Sequence, residues 1–374
     1  MSFAMKNNPT ALECVQKLAP YQPGKPIDEL AREFSFELED IVKLASNENP
    51  LGCSPLVGPS LASQLGEVAR YPDGSGFRLK SQISDKLQVP QDCIILGNGS
   101  NDILEMAAMA FLNGDQSAVY SEFCFVVNKL ATQGRGAEGL EVPSKEFGHD
   151  LERMLETIQD NTKIIFVSNP NNPTGTFISP EDILRFIEQV PSNVVVILDE
   201  AYYEYLPAEL QSASVSWINR FPNLLVTRTF SKIYGLASLR VGYGMANPEL
   251  ANILNRVRQP FNVNSFGLAA AAVALKDDAF VSASVAVNNE GMTALLSSIE
   301  CLGLKYIPSY GNFLTVEFEQ EGIEIYRRLL RRGIITRPVG GYHLANHLRI
   351  SIGLENENTR FIEALHAVMR DLRL

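Results

Sequence analysis

The chain has 374 residues, 45% apolar and 20% charged, which is the composition of a soluble globular protein and a length that suggests about two domains. These values exclude a disordered tail, a collagen-like chain and a disulfide framework. The net charge of -11, from 43 acidic against 32 basic residues, argues against a wide nucleic-acid footprint, because binding phosphate needs a basic face.

The five cysteines (Cys14, Cys53, Cys93, Cys124 and Cys301) are odd in number and form no CxxC pair. They point to a reduced, cytoplasmic protein without structural zinc. No apolar run approaches the roughly 18–20 residues of a membrane helix. The start, MSFAMKNNPT, lacks the basic and apolar regions of a signal peptide.

Read in chain order, PYQPGKP (20–26) cannot be helical throughout and predicts an extended arm. CIIL (93–96) is a buried strand, followed by a glycine loop and an apolar helix over 101–112. SAVY (117–120), KIIFVS (163–168), NVVVIL (193–198) and NLLVTRT (223–229) are further strands, with RVGYG (240–244) closing the set. They are short, β-branched and without alternation, as expected when helices cover both faces of a sheet. Helical segments such as EDILRFIEQV (181–190) fall between them, so the reading is an α/β domain with a mostly parallel sheet. A long helical region over 268–302 then leads into a smaller α+β domain with a helix near 323–332 and another at the end. The expected division is an arm with part of the small domain (1–50), a large domain (51–265) and a small domain (266–374).

In open α/β sheets, ligands sit beyond the carboxyl ends of the strands, and four loops there hold unusual residues. GNGSND (97–102) is either a glycine turn with a polar cap or an anion cradle at a helix start; it lacks the third glycine of a dinucleotide fingerprint. SNPNNPTG (168–175) is a rigid turn presenting amides. Asp199 ends an apolar run, where a carboxylate needs a cation, donors or a capping role. Lys232 follows a buried strand and is either solvated or desolvated into a nucleophile, with Thr229, Ser231 and Arg240 near enough in sequence to suit a phosphate. Together these are the parts that a pyridoxal phosphate site requires.

NPNNPTG (169–175), DEAY (199–202), TRTFSK (227–232) and GLASLRVGY (235–243) resemble the fold type I pyridoxal phosphate aminotransferases. SNENPLG (46–52), RYPDGSGFRLK (70–80), NRVRQPFNVN (255–264) and TRPVGGYHLANHLRISIG (336–353) resemble the histidinol-phosphate branch in particular. The resemblance runs from about Val15 to the last helix. It implies that Lys232 holds the cofactor and that Asp199 pairs with its ring nitrogen. Tyr202 and Asn172 would bond the phenolic oxygen. Ser100, Asn101, Thr229, Ser231 and Arg240 would hold the phosphate. Phe123 would stack on the ring, where many relatives carry tyrosine. Tyr71 would reach the phosphate of a neighbouring subunit, which implies a homodimer with shared sites. Arg349 would clamp the substrate's anionic group, with Tyr21, Asn47 and Arg337 lining the substrate side. The implied reaction exchanges L-histidinol phosphate and 2-oxoglutarate for imidazole acetol phosphate and glutamate. Aromatic amino-acid aminotransferases and a phosphothreonine-type decarboxylase share the cofactor motifs. His149, His343 and His347 read as loop or surface groups and Trp217 as packing, while the arginines of YRRLLRRG (326–333) read as solvated.

Overall fold

The structure, a computed structural model, describes residues 10–20 and 23–373. Its strands are β1 (Val42–Lys43), β2 (Ile94–Gly97), β3 (Ser117–Ser121), β4 (Glu138–Val142), β5 (Thr162–Ser168), β6 (Val195–Asp199), β7 (Leu224–Thr229), β8 (Gly242–Ala246), β9 (Lys305–Ile307), β10 (Phe313–Glu317), β11 (Ile334–Ile335), β12 (Arg337–Pro338) and β13 (His347–Ser351).

Seven strands form one sheet in the order β2-β8-β7-β6-β5-β3-β4, with β8 antiparallel to both neighbours and the remaining pairs parallel. Successive side chains of a strand point to opposite faces. Val196 and Leu198 accordingly join one apolar cluster while Val195 and Ile197 join the other, and Ile165 and Val167 separate from Ile164 and Phe166 in the same way. Both faces are dry, which is why the sequence shows apolar runs instead of alternation.

A four-stranded antiparallel sheet, β12-β13-β10-β9, carries a second core with the helices Asp278–Cys301, Gly322–Leu330 and Glu355–Arg373. Val42 and Leu44 belong to this core, because β1 pairs in parallel with β11. The first fifty residues therefore contribute to the packing of the last hundred.

Three expectations need correction. The helical region read over 268–302 is two helices, Ser265–Ala274 and Asp278–Cys301. Asp277 separates them by capping the second, its carboxylate accepting from Phe280 N at 3.0 Å. RVGYG supplies the last strand of the large sheet in chain order, but with other bounds. Its strand begins at Gly242 and lies between β2 and β7, while Arg240 has a left-handed backbone with φ +54°. β4 was missed, since the polar edge strand EGLEV carries no buried run.

The helix Ser100–Phe111 starts immediately after β2 and lies against β8. A Cβ on Gly242 would stand 2.3 Å from Ser100 N, so only glycine allows this approach. Gly242→Ala is expected to lower stability by about 1–3 kcal/mol through overpacking. Urea unfolding checks this, and an unchanged midpoint would show that the backbone contact is dispensable.

Candidate active site

β5, β6 and β7 run parallel, so their carboxyl ends share one edge of the sheet. Asp199 is the last residue of β6 and is 7% exposed. Its Oδ1 accepts from Thr227 Oγ1 at 3.0 Å, yet desolvation dominates and pushes the carboxyl up to about 6. Ser168, at the end of β5, stands opposite Asp199 in the ladder.

Tyr202 follows Asp199 by three residues and is buried, which pushes its phenol up to about 12. Its hydroxyl oxygen receives Asn47 Nδ2 at 2.8 Å and Asn172 Nδ2 at 3.2 Å. Arg349, on β13, donates from Nη1 to Asn172 Oδ1 at 2.5 Å and from Nη2 to Ala45 O at 2.8 Å. One chain of polar contacts thus joins the second sheet to the loops of the first.

Lys232 lies in the loop after β7, and its Nζ donates to Ser46 O at 3.1 Å. Burial, then the positive charge of Arg349, pushes the amine down to about 7; Arg240 acts in the same direction, and Glu48 and Asp199 oppose it.

Beside it is an anion cradle. The helix Ser100–Phe111 begins at Gly99, whose φ is +83°, and no side chain caps it. Its first N–H groups are therefore available to an anion. Arg240 Nη1 donates to Ser231 Oγ at 3.3 Å and to Ala237 O at 2.9 Å. A Cβ on Gly99 would meet Arg240 Nη2 at 2.5 Å, so the glycine lets the guanidinium approach the helix start. Asp102 fixes the loop by accepting from Asn98 N and Asn262 Nδ2, both at 2.8 Å.

These groups line a cavity of about 220 Å³. Of the residues expected there, Ser100, Asn101, Asn172, Asp199, Tyr202, Thr229, Ser231, Lys232, Arg240, Asn47, Arg337 and Arg349 form its wall. Phe123 does not. The chain turns after β3, with Cys124 N donating to Ser121 O at 3.0 Å, and Phe125 reaches the cavity instead. The Phe123 ring stacks on Phe147 at 5.9 Å and packs with Val339 and Leu344. Tyr71 is also away from the cavity of its own chain; it is 82% exposed and stacks on Phe261 at 4.7 Å. Tyr21 lies outside the described residues.

Sequence reasoning missed several participants. Ser46 offers only its carbonyl, which no side-chain pattern signals. Phe125 was obscured by an equivalent aromatic two residues earlier. Glu200 and Arg228 form a buried ion pair at 2.8 Å, with Arg228 3.5 Å over the Tyr203 ring. The alternation of β7 sends Arg228 to that side, opposite to Thr227 and Thr229. The histidine reading also needs correction. His149 is buried, with Nδ1 2.8 Å from Ser121 Oγ and Nε2 2.9 Å from Ser168 O, and His347 is buried on β13.

The description "Aminotransferase class I and II" fits residues 39–365 of the chain. The histidinol-phosphate aminotransferase of Methylobacillus flagellatus is 52% identical over 95% of this chain and 96% of its own length. Histidinol-phosphate aminotransferase 2 of Nitrosospira multiformis is 50% identical over 94% of this chain and 90% of its own. Among solved structures, the histidinol-phosphate aminotransferase of Sinorhizobium meliloti, in complex with pyridoxal-5'-phosphate, superposes with a TM-score of 0.89 at 26% identity, covering 99% of this chain and 100% of that one. A lysine, a carboxylate and an anion cradle gathered at the sheet edge, inside a chain matched along nearly its whole length, place this protein in the class I and II aminotransferase family.

Proposed function

We propose that the chain is a pyridoxal phosphate-dependent histidinol-phosphate aminotransferase, interconverting L-histidinol phosphate and 2-oxoglutarate with imidazole acetol phosphate and L-glutamate in histidine biosynthesis. The observation that carries this reading is the convergence of Lys232, Asp199 and the Ser100–Arg240 cradle on one cavity. The 50–52% identity to histidinol-phosphate aminotransferases over almost the full chain selects the substrate.

The residues fit the cofactor. Asp199 is a buried carboxylate without a cationic hydrogen-bond partner among the described residues, which suits a ring N–H⁺. Ser168 Oγ is buried in the cavity wall and has no partner among the described residues, so it can accept or donate to a bound group. The cradle offers helix N–H groups, three hydroxyls (Ser100, Thr229 and Ser231) and one guanidinium, a donor set for a phosphate. Pyridoxal phosphate, when bound, supplies the aldehyde and the electron-withdrawing ring that make amino transfer feasible.

The chain's own residues supply the remainder. Lys232, with its amine pushed down to about 7, is substantially neutral near neutral pH, so it can hold the aldehyde and later carry a proton to and from the amine-bearing carbon of the substrate. Asp199 keeps the ring nitrogen protonated. Tyr202, held by Asn47 and Asn172, orients toward the phenolic oxygen. Phe125, in the cavity wall where Phe123 is not, would lie against the cofactor ring. Arg349 and Arg337 clamp the phosphate or carboxylate of the alternating substrates. Tyr71, exposed in its own chain, reaches the cradle of a second copy, making the enzyme a homodimer. No described helix is long and apolar enough to cross a membrane, and the reading places the enzyme in the cytoplasm.

Lys232→Ala is expected to abolish glutamate formation from histidinol phosphate and 2-oxoglutarate; retained turnover overturns the lysine's role. Good turnover on phenylalanine with none on histidinol phosphate would replace the substrate with an aromatic amino acid. Tyr71→Phe should lose cofactor faster on dialysis, and unchanged retention counts against the shared site.

Asp199 allows a sharper test. Its folded pKa lies near 6, above the ordinary 3.8, so the cofactor-free fold favours the protonated form. The penalty is absent below pH 3.8, grows as pH rises and is complete above about 6. Removing the charge should therefore stabilise the cofactor-free protein at pH 8, by up to about 3 kcal/mol. Asp199→Asn should unfold at higher urea than the parent at pH 8 and at nearly the same urea at pH 4, while losing activity. An equal gap at both pH values would show that the carboxylate is not desolvated.

A further inference from the structure

The segment Ser46–Gly52 touches the site in more ways than its substrate-side residue Asn47 accounts for. Asn49 is buried and is not part of the cavity wall, yet both polar atoms of its side chain are engaged. Its Nδ2 donates to Ile233 O at 2.7 Å and to Ser284 Oγ at 2.8 Å, and its Oδ1 accepts from Leu51 N at 3.0 Å. An amide carries two N–H donors, so both are spent and both go to other segments.

The partners are informative. Ile233 is the residue after Lys232, so the first bond grips the backbone that carries the reacting amine. Ser284 lies on the helix Asp278–Cys301, whose first half packs on the large-sheet core through Val281 and Val285 and whose second half enters the other core through Leu295 and Ile299. Two further contacts bear on the same loop. Lys232 Nζ reaches back to Ser46 O at 3.1 Å. Gly235, with φ +66°, lies so close to Gly52 that a Cβ would stand 1.7 Å from Gly52 O. The lysine loop is thus held at Lys232 itself and at two positions just after it, Ile233 and Gly235, by one seven-residue segment.

We infer that Asn49 is a positioning residue for the reaction: its amide ties the Lys232 loop to the inter-core helix through Ser284 and holds the lysine amine inside the cavity. The inference rests on the reading of Lys232 as the reacting amine. Without Asn49 the Ile233 carbonyl loses its partner and the loop is free to shift outward. The amine would then leave the dry pocket that it shares with Asp199, Arg240 and Arg349, and with Glu48 at its rim.

The test uses Asn49→Ala and Ser284→Ala in the full chain, with two readouts. In the holoenzyme, Asn49→Ala should lower kcat about 10- to 100-fold, with KM for both substrates nearly unchanged, as expected for a misplaced reacting group. In the chain freed of cofactor, the pH dependence of Lys232 acetylation, followed by mass spectrometry of its peptide, should move up by about one unit or more toward that of a solvated lysine. Ser284→Ala, which keeps the Ile233 bond, should shift both readouts in the same direction and by less, and it decides the matter if Asn49→Ala does not fold. A role confined to packing would lower the melting temperature and leave kcat and the acetylation profile in place; that result overturns the inference. Failure of the underlying reading looks different: Lys232→Ala would then remain active.

Discussion

Two groups of opposite charge, Lys232 and Asp199, are held where water is scarce, and each is pushed toward its neutral form. An ammonium and a carboxylate in direct contact would cancel this effect. Here the amine rests on a backbone carbonyl and the carboxylate on a threonine hydroxyl, so both remain under tension with their surroundings. A flat, polar molecule with a cationic ring nitrogen and an electrophilic carbon would relieve both at once. The apolar strands beneath, the glycines at the helix start and the polar chain to Arg349 can all be understood as the frame that keeps these two groups apart and desolvated.

That frame comes from strand geometry. Parallel neighbours bring the ends of β5, β6 and β7 to one edge, and the ladder places Ser168 beside Asp199 and Asp199 beside Thr227 without any side-chain instruction. Because β8 runs the other way, it delivers Gly242 to the same edge from the opposite direction and allows the cradle helix to sit directly on the sheet. The cost of burying an unpaired carboxylate is borne by the packing of two large apolar clusters on either side of the sheet.

Much of this was legible in the sequence, because the chemistry falls where apolar runs stop. Asp199, Lys232 and the GNGSND loop stood out as polar residues at the ends of buried strands, and they meet in one cavity. What could not be read has physical reasons. Phe123 and Phe125 differ only in which way a turn points them, and composition does not encode that direction. Ser46 participates through its backbone. His149 does sit in a loop, but its burial is not legible, because its partners, Ser121 and Ser168, are distant in sequence and meet only through strand pairing. The break at Asp277 within an otherwise helical run depended on a single capping carboxylate outweighing continuity.

The pairing of β1 with β11, and of Asn47 with Ser351 across 304 positions, sets an order of events during synthesis. The large sheet is complete once β8 has emerged from the ribosome, and it can collapse early. Asn47, which supplies one of the two amides on Tyr202, is anchored to β13, a strand made long after β8. Loop closure over such a span is slow and comes late in folding. A nascent chain therefore passes through a stage in which its ligand-binding edge exists without its front wall, and the site is completed only after β13 has been made.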